Sequence, residues 1–166
     1  MAGEVSSAGI KIEYAPETSV GVRPTAAGSY KEKASAGTLK IAEYVTGISG
    51  LTAEFEQYDV TPLAETRRHR FVKGLQGNDG NLSLSCNINP TSRADWNAIV
   101  AEFEALTGGK GMWFAFTLPG DTQSVYFRCT PCEMGFPDVE AASAVQGAVQ
   151  LIENEYGGWA AKPTAT

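Results

Sequence analysis

Residues 81–111 read NLSLSCNINPTSRADWNAIVAEFEALTGGKG, and two periods meet inside this stretch. Over its first eight residues Leu82, Leu84, Cys86 and Ile88 alternate with Asn81, Ser83, Ser85 and Asn87, the period of two that a strand with one buried and one polar face imposes. Beyond Pro90 the period becomes helical. Trp96, Ile99, Val100, Phe103 and Leu106 recur at spacings of three, one, three and three, which gathers them on one stripe and leaves Glu102 and Glu104 opposite. Ser92 is the expected N-cap, with Asp95 completing a short capping box, and Thr107-Gly108-Gly109 supplies the left-handed stop, so a helix is expected over about residues 92–107 with Pro90 outside it. A lone apolar stripe needs a surface to cover.

Working outward, that surface has to be sheet. Residues 10–14 (IKIEY) alternate, Leu39, Ile41 and Val45 restart a strand pattern, and Leu51, Ala53 and Phe55 alternate with Thr52, Glu54 and Glu56. Gly47 and Gly50 mark a bend or bulge between them. After the helix, residues 112–118 (MWFAFTL) form an aromatic strand, Pro119-Gly120-Asp121 turns the chain, residues 125–130 return, and residues 145–152 give a last strand. Residues 15–37 and 61–80 show neither period and read as extended loops or arms, as do residues 157–166 as a C-terminal tail. The expected fold is mainly β, an antiparallel β-sandwich or barrel with one flanking α-helix and long loops, in a single domain over residues 1–166.

Composition sets the class. At 166 residues, 43% hydrophobic and 19% charged, the chain can bury one core, and no apolar run reaches the ~20 residues of a membrane helix. Met1-Ala2-Gly3-Glu4 lacks a signal-peptide start, so the chain is expected to mature where it is made. The net charge of −6 is uneven: residues 67–110 carry +2, and the segments before and after carry −4 each. An acidic chain does not attract phosphate, which disfavours an ordinary nucleic-acid binder.

Chemistry-bearing groups are sparse. Cys129-Thr130-Pro131-Cys132 has the spacing of a redox dithiol or half a zinc site, but no helix start follows it, and Cys86 already fits a core face; with His69 these thiols make no regular metal set. His69 lies in the basic run Arg67-Arg68-His69-Arg70 with Glu65 its nearest acid, and no Gly-x-Ser-x-Gly elbow occurs. Gly108-Gly109-Lys110-Gly111 ends a helix instead of opening one, and lacks the hydroxyl residue of a phosphate loop. Glu54 and Glu56 read as a solvated strand face, and Asn81-Leu82-Ser83 as a glycosylation triplet trapped in a strand. No catalytic residue, cofactor or metal ligand is expected.

The opening IKIEYAPET at residues 10–18, TPLAETRR at 61–68 leading to FVKGL at 71–75, and the strand-then-helix passage 82–106 with Trp96 together resemble the major tail proteins, or tail tube proteins, of long-tailed non-contractile bacteriophages. The resemblance implies a virion protein, assembled in the host cytoplasm, that forms hexameric rings stacked into a tube through which phage DNA passes without specific binding. It implies tape measure, tail terminator and distal tail proteins as partners, and no membrane. On that view Glu54, Glu56, Ser83, Ser85, Asn87, Gln146 and Gln150 are candidates to line the lumen, since uncharged polar or acidic groups let DNA slide. Arg67, Arg68, Arg70 and Lys73 are candidates for contacts between subunits. Three alternatives stay open: a type VI secretion tube protein of the same fold, a monomeric β-sandwich binding module stacking a carbohydrate on Trp113, Tyr126 or Trp159, and a small enzyme using the thiols or carboxylates.

Overall fold

The computed structural model describes residues 9–26, 28–50, 54–64, 66–77, 81–137, 139–141 and 145–163, and within them the backbone alone of residues 54–56, 74–77 and 81. The chain runs β1 (Lys11–Pro16), α1 (Ile41–Tyr44), β2 (Val45–Ser49), β3 (Glu54–Asp59), β4 (Phe71–Gly77), β5 (Asn81–Asn87), α2 (Pro90–Glu104), β6 (Met112–Thr117), β7 (Gln123–Pro131) and β8 (Gln146–Ala161). Six strands form one curled antiparallel half-barrel in the order β1-β6-β7-β8-β5-β2, while β3 and β4 form a separate two-stranded sheet. The mainly β expectation with one main helix holds.

The core lies on the face of the sheet that α2 covers. Leu82, Leu84, Cys86, Met112, Phe114, Phe127, Val149 and Leu151 are fully buried there with Trp96 and Ile99 of the helix. Their identical period on neighbouring strands follows from the register, in which Leu84 faces Val149 and Leu82 faces Leu151. The opposite face divides in two. On β5 and β8 it is open, so these strands alternate buried with exposed residues; on β6 it is covered, so all six residues of Met112–Thr117 are buried.

What covers β6 and β7 is the segment 15–37. Its first two residues complete β1 and its other described residues belong to no helix or strand, but it is tied to this same chain at both faces of the sheet. Glu17 and Tyr30 sit on the outer face, over Trp113, Ala115 and Tyr126. At the β1 edge Tyr14 and Lys31 exchange backbone bonds of 2.9 Å, and the chain then crosses to the helix face, where Ser35 N donates to Glu102 (3.0 Å) and Thr38 N and Leu39 N donate to Asp95 (3.1 and 2.6 Å).

Several sequence expectations change here. The N-cap is Asn89, not Ser92: Pro90 opens the helix at its first position, Asn89 accepts from Ser92 N (2.9 Å), and Ser92 Oγ accepts from Asn89 N (3.0 Å). A proline needs no donor partner at that position, which is why the helix starts two residues early. Asp95 is thereby freed from capping and is buried against the 38–39 loop instead. The helix ends at Glu104, so Leu106 lies just past it and, like Phe103, is half-buried, while Trp96, Ile99 and Val100 are buried. Glu102 does not face solvent alone; it accepts from the Tyr14 hydroxyl at 2.7 Å. The loop expected over 61–80 contains β4, and of the tail expected from residue 157 the part up to Ala161 belongs to β8. Leu51 and Ala53 lie outside the described residues, as does the side chain of Phe55.

The continuation of β8 past residue 157 has a local cause. The strand carries two bulges, where its pairing to β7 skips Asn154 and Gly157, and a Cβ at Gly157 would come within 2.5 Å of the Trp113 ring. Glycine reads as a breaker in sequence, yet here it is what lets the strand continue past an indole.

Candidate assembly surfaces

The open half of the outer face gathers the polar residues that the alternation singled out. Ser83 pairs with Gln150, Ser85 with Ala148 and Asn87 with Gln146, and Ser49 of β2 lies beside Ser83. All these side chains therefore share one face. Gln146 Nε2 donates to Asn87 Oδ1 (3.0 Å), Asn154 Nδ2 donates to Thr130 Oγ1 (2.9 Å), and Thr46 Oγ1 donates to the Ser85 carbonyl (3.2 Å). Ser85, Asn87, Gln146 and Gln150 are exposed and Ser83 is half-buried, giving a strip with hydrogen-bonding groups and no ionisable side chain among those named. Glu54 and Glu56 are not part of it. They belong to β3 in the other sheet, and their side chains lie outside the described residues.

The second surface is the β3–β4 hairpin. Arg67, Arg68 and Arg70 are exposed in its connection and Lys73 is exposed on β4 opposite Gln57, so the four basic residues lie on one hairpin. The connection is held by its own polar groups: Asp59 accepts from the Thr61 amide (2.9 Å) and hydroxyl, Thr61 Oγ1 accepts from Arg70 N (2.8 Å), and Val60 N donates to the Arg70 carbonyl (2.8 Å). The bonds from the Thr61 hydroxyl and amide, the hydroxyl first, hold the Asp59 carboxyl below its usual range. His69 Nδ1 lies 3.3 Å from Asp59 Oδ2. The sequence periods did not reveal the apolar side chains around this charge: Tyr58, Val60, Leu63, Phe71 and Val72 are about half exposed or more, Leu63 completely. Tyr58 and Val72 are register partners, Phe71 is on the opposite face and Val60 and Leu63 lie in the connection, so no single period collects them.

The third feature fixes the arm. Glu17 is buried, with Oε1 accepting from Trp113 Nε1 (2.8 Å) and Arg128 Nε (2.6 Å) and Oε2 accepting from Gly111 N (2.9 Å) and Gly21 N (3.0 Å). Burial alone would raise its pKa, but the bonds from Arg128, Gly111, Gly21 and Trp113 outweigh it and bring the value down to about 2. Arg23 stacks 4.0 Å over the Tyr126 ring, and Tyr30 meets the same ring edge-on at 5.7 Å. Gly111, Trp113 and Arg128 are 94, 96 and 111 residues from Glu17, and nothing in the sequence marks them as its partners.

The remaining candidates resolve by burial. Trp113 and Tyr126 are 2% exposed beneath the arm, so they offer no stacking platform for a sugar; Trp159 is exposed. Cys86 and Cys129 are buried and Cys132 is half-buried; desolvation pushes the Cys86 thiol up to about 11 and the Cys129 thiol higher, a direction opposite to that of a reactive thiol. Among the described residues no group of three His, Cys, Asp or Glu side chains could hold a metal, and no helix is long and apolar enough to cross a membrane.

No protein-family model and no curated protein sequence matches this chain. Its fold is similar to that of a chain in the cryo-EM structure of the anti-feeding prophage (AFP) baseplate, 6-fold symmetrised, with a TM-score of 0.61 over 93% of this chain and 95% of that one. Sequence identity across the match is 13%, so the likeness is one of fold.

Proposed function

We propose that this chain is a non-enzymatic structural subunit of a phage-type tail or injection assembly, and that it forms hexameric rings stacking into a tail tube. The observation that carries the reading is the end-to-end likeness of its fold to a chain of a six-fold symmetrised prophage baseplate. The half-barrel suits the role physically: the edge of β2 leaves a strand for a neighbour to extend, and repeating one heterologous contact closes a ring. The uncharged strip of Ser83, Ser85, Asn87, Gln146 and Gln150 is then the lumen lining, able to hydrate passing DNA without binding its phosphates. The subunit works in a virion, with other tail proteins at the tube's ends and phage DNA as its passenger.

Negative-stain electron microscopy of the purified chain over a concentration series, with light scattering, tests this. Rings or tubes with a channel wide enough for duplex DNA are expected. A chain that stays monomeric at high concentration, alone and when mixed with tail-tip complexes of its phage, overturns the reading.

A further inference from the structure

We infer that the cavity between β1, the turn joining β6 to β7 and the end of β8 binds a small amino-acid zwitterion, its ammonium on Glu13 at the floor and its carboxylate on Lys11 and Lys162 at the rim. The inference concerns a single chain and does not depend on the assembly reading.

Two acids of the outer face are nine-tenths or more buried, and they differ in their surroundings. Glu17 accepts from Arg128, Trp113 and two backbone amides; Glu13, on β1, accepts no hydrogen bond and has no ion pair among the described residues. Its register partner on β6 is Ala115, whose side chain offers no donor. Burial raises the Glu13 pKa; Lys11, next along the same face, opposes the rise and Glu32 adds to it. An ionised carboxylate buried without a partner costs stability, and a side chain that breaks this rule with no gain in packing marks a place where a ligand completes the shell.

Glu13 lines a cavity of about 460 Å³, room enough for a molecule of amino-acid size. The charges of its lining balance, Glu13 and Asp121 against Lys11 and Lys162. The acids lie deeper: Glu13 is buried and Asp121 half-buried, with Oδ1 accepting from Gln123 N (2.9 Å), while both lysines are exposed. That order of charge selects the ligand. A plain amine on Glu13 would leave two lysines facing it, and a plain anion on the lysines would face two carboxylates; a molecule carrying both charges matches each. An ammonium, compact and with three donors, suits a single buried carboxylate. The Thr117 hydroxyl, also in the lining, is already engaged with Ser124 Oγ, which leaves the charge on Glu13 to recognise it.

Equilibrium dialysis of the purified full-length chain at neutral pH tests the assignment, with radiolabelled ω-amino acids from glycine to 6-aminohexanoate as probes and butylamine and butyrate as single-charge controls. At least one amino acid is expected to bind saturably below about 10 mM, and each control about tenfold more weakly or less. Glu13→Gln should abolish that binding while raising the urea midpoint of unfolding, since it removes an unpartnered charge and keeps the shape. Lys162→Gln, at an exposed site, should weaken binding about fivefold and leave the midpoint unchanged. No saturable binding by any of the series, equal binding by the controls, or binding that survives Glu13→Gln or ignores Lys162→Gln would each overturn the proposal. A midpoint lowered by Glu13→Gln would overturn it too, because the carboxylate would then be held by a partner within the fold.

Discussion

The Glu17 carboxylate is enclosed on the outer face of the sheet, with Arg128 as its counter-ion and the Trp113 indole and two backbone amides completing its shell. Removing its charge strands the partly buried guanidinium, so Glu17→Gln is expected to lower stability by about 3 kcal/mol at neutral pH, measured by urea unfolding. Because the folded pKa, about 2, lies below the ordinary 4.5, the contribution is complete above the unfolded value and disappears as pH falls through the folded one. The stability gap between wild type and Glu17→Gln should therefore hold at pH 6 and close steadily between about pH 4.5 and 2; a gap independent of pH would mean that the ion pair contributes nothing. The thiols give a second check at this scale. In the native protein a neutral-pH thiol reagent should label Cys132 alone within minutes, and Cys86 and Cys129 only after unfolding, since both are buried. The interior fate of Cys86 was legible from its place between Leu84 and Ile88 in a strict alternation. That of Glu17 was not, because an acid in a Pro- and Ser-bearing stretch looks solvated until its distant partners are folded around it.

At the scale of the element, α2 shows how local signals compete. Asn89, Pro90 and Ser92 each carry an N-terminal signature, and the one that wins leaves proline at the first helical position, where its missing amide has no consequence. Asn89→Ala should cost about 1 kcal/mol in chemical denaturation by removing the cap to Ser92 N. Asp95→Ala should cost more, about 2 kcal/mol, because it leaves the amides of Thr38 and Leu39 without an acceptor beside the core. If the two losses came out in the opposite order, the bonds of Asp95 to the 38–39 amides would contribute less than the Asn89 cap. The strands divide on the same principle. Residues 81–88 showed their face assignment directly, because one side of β5 remains open; in β6 both sides are covered, the pattern is continuous, and periodicity reports burial without direction. Strand β4 was missed since its described apolar residues, Phe71 and Val72, are adjacent and fall on opposite faces, and β8 was cut short because Gly157 and Gly158 look like a stop when one of them is a bulge beneath Trp113.

For the whole molecule, the proposed lumen makes a prediction separate from subunit stability. Ser85→Lys with Gln150→Lys places two cations on the exposed strip without touching the core, so folding and assembly should be unchanged. Assembled tubes carrying them should retain duplex DNA in a filter-binding assay, with a retention that falls as salt rises; wild-type tubes should retain none. Equal retention by both would place the strip outside the channel. The amino-acid order by itself determined the mainly β class, the single main helix and the polar face of β5 and β8, because each is written in a period that neighbouring residues impose on one another. Only the tertiary structure decided that Glu17, Tyr30, Lys31 and Ser35 are bound to their own chain, that the basic run joins the strands of a separate two-stranded sheet with exposed apolar side chains, and that Glu17 meets Arg128. Those outcomes depend on contacts between residues far apart in the chain, whose free energies exist only once the sheet has curled and brought them together.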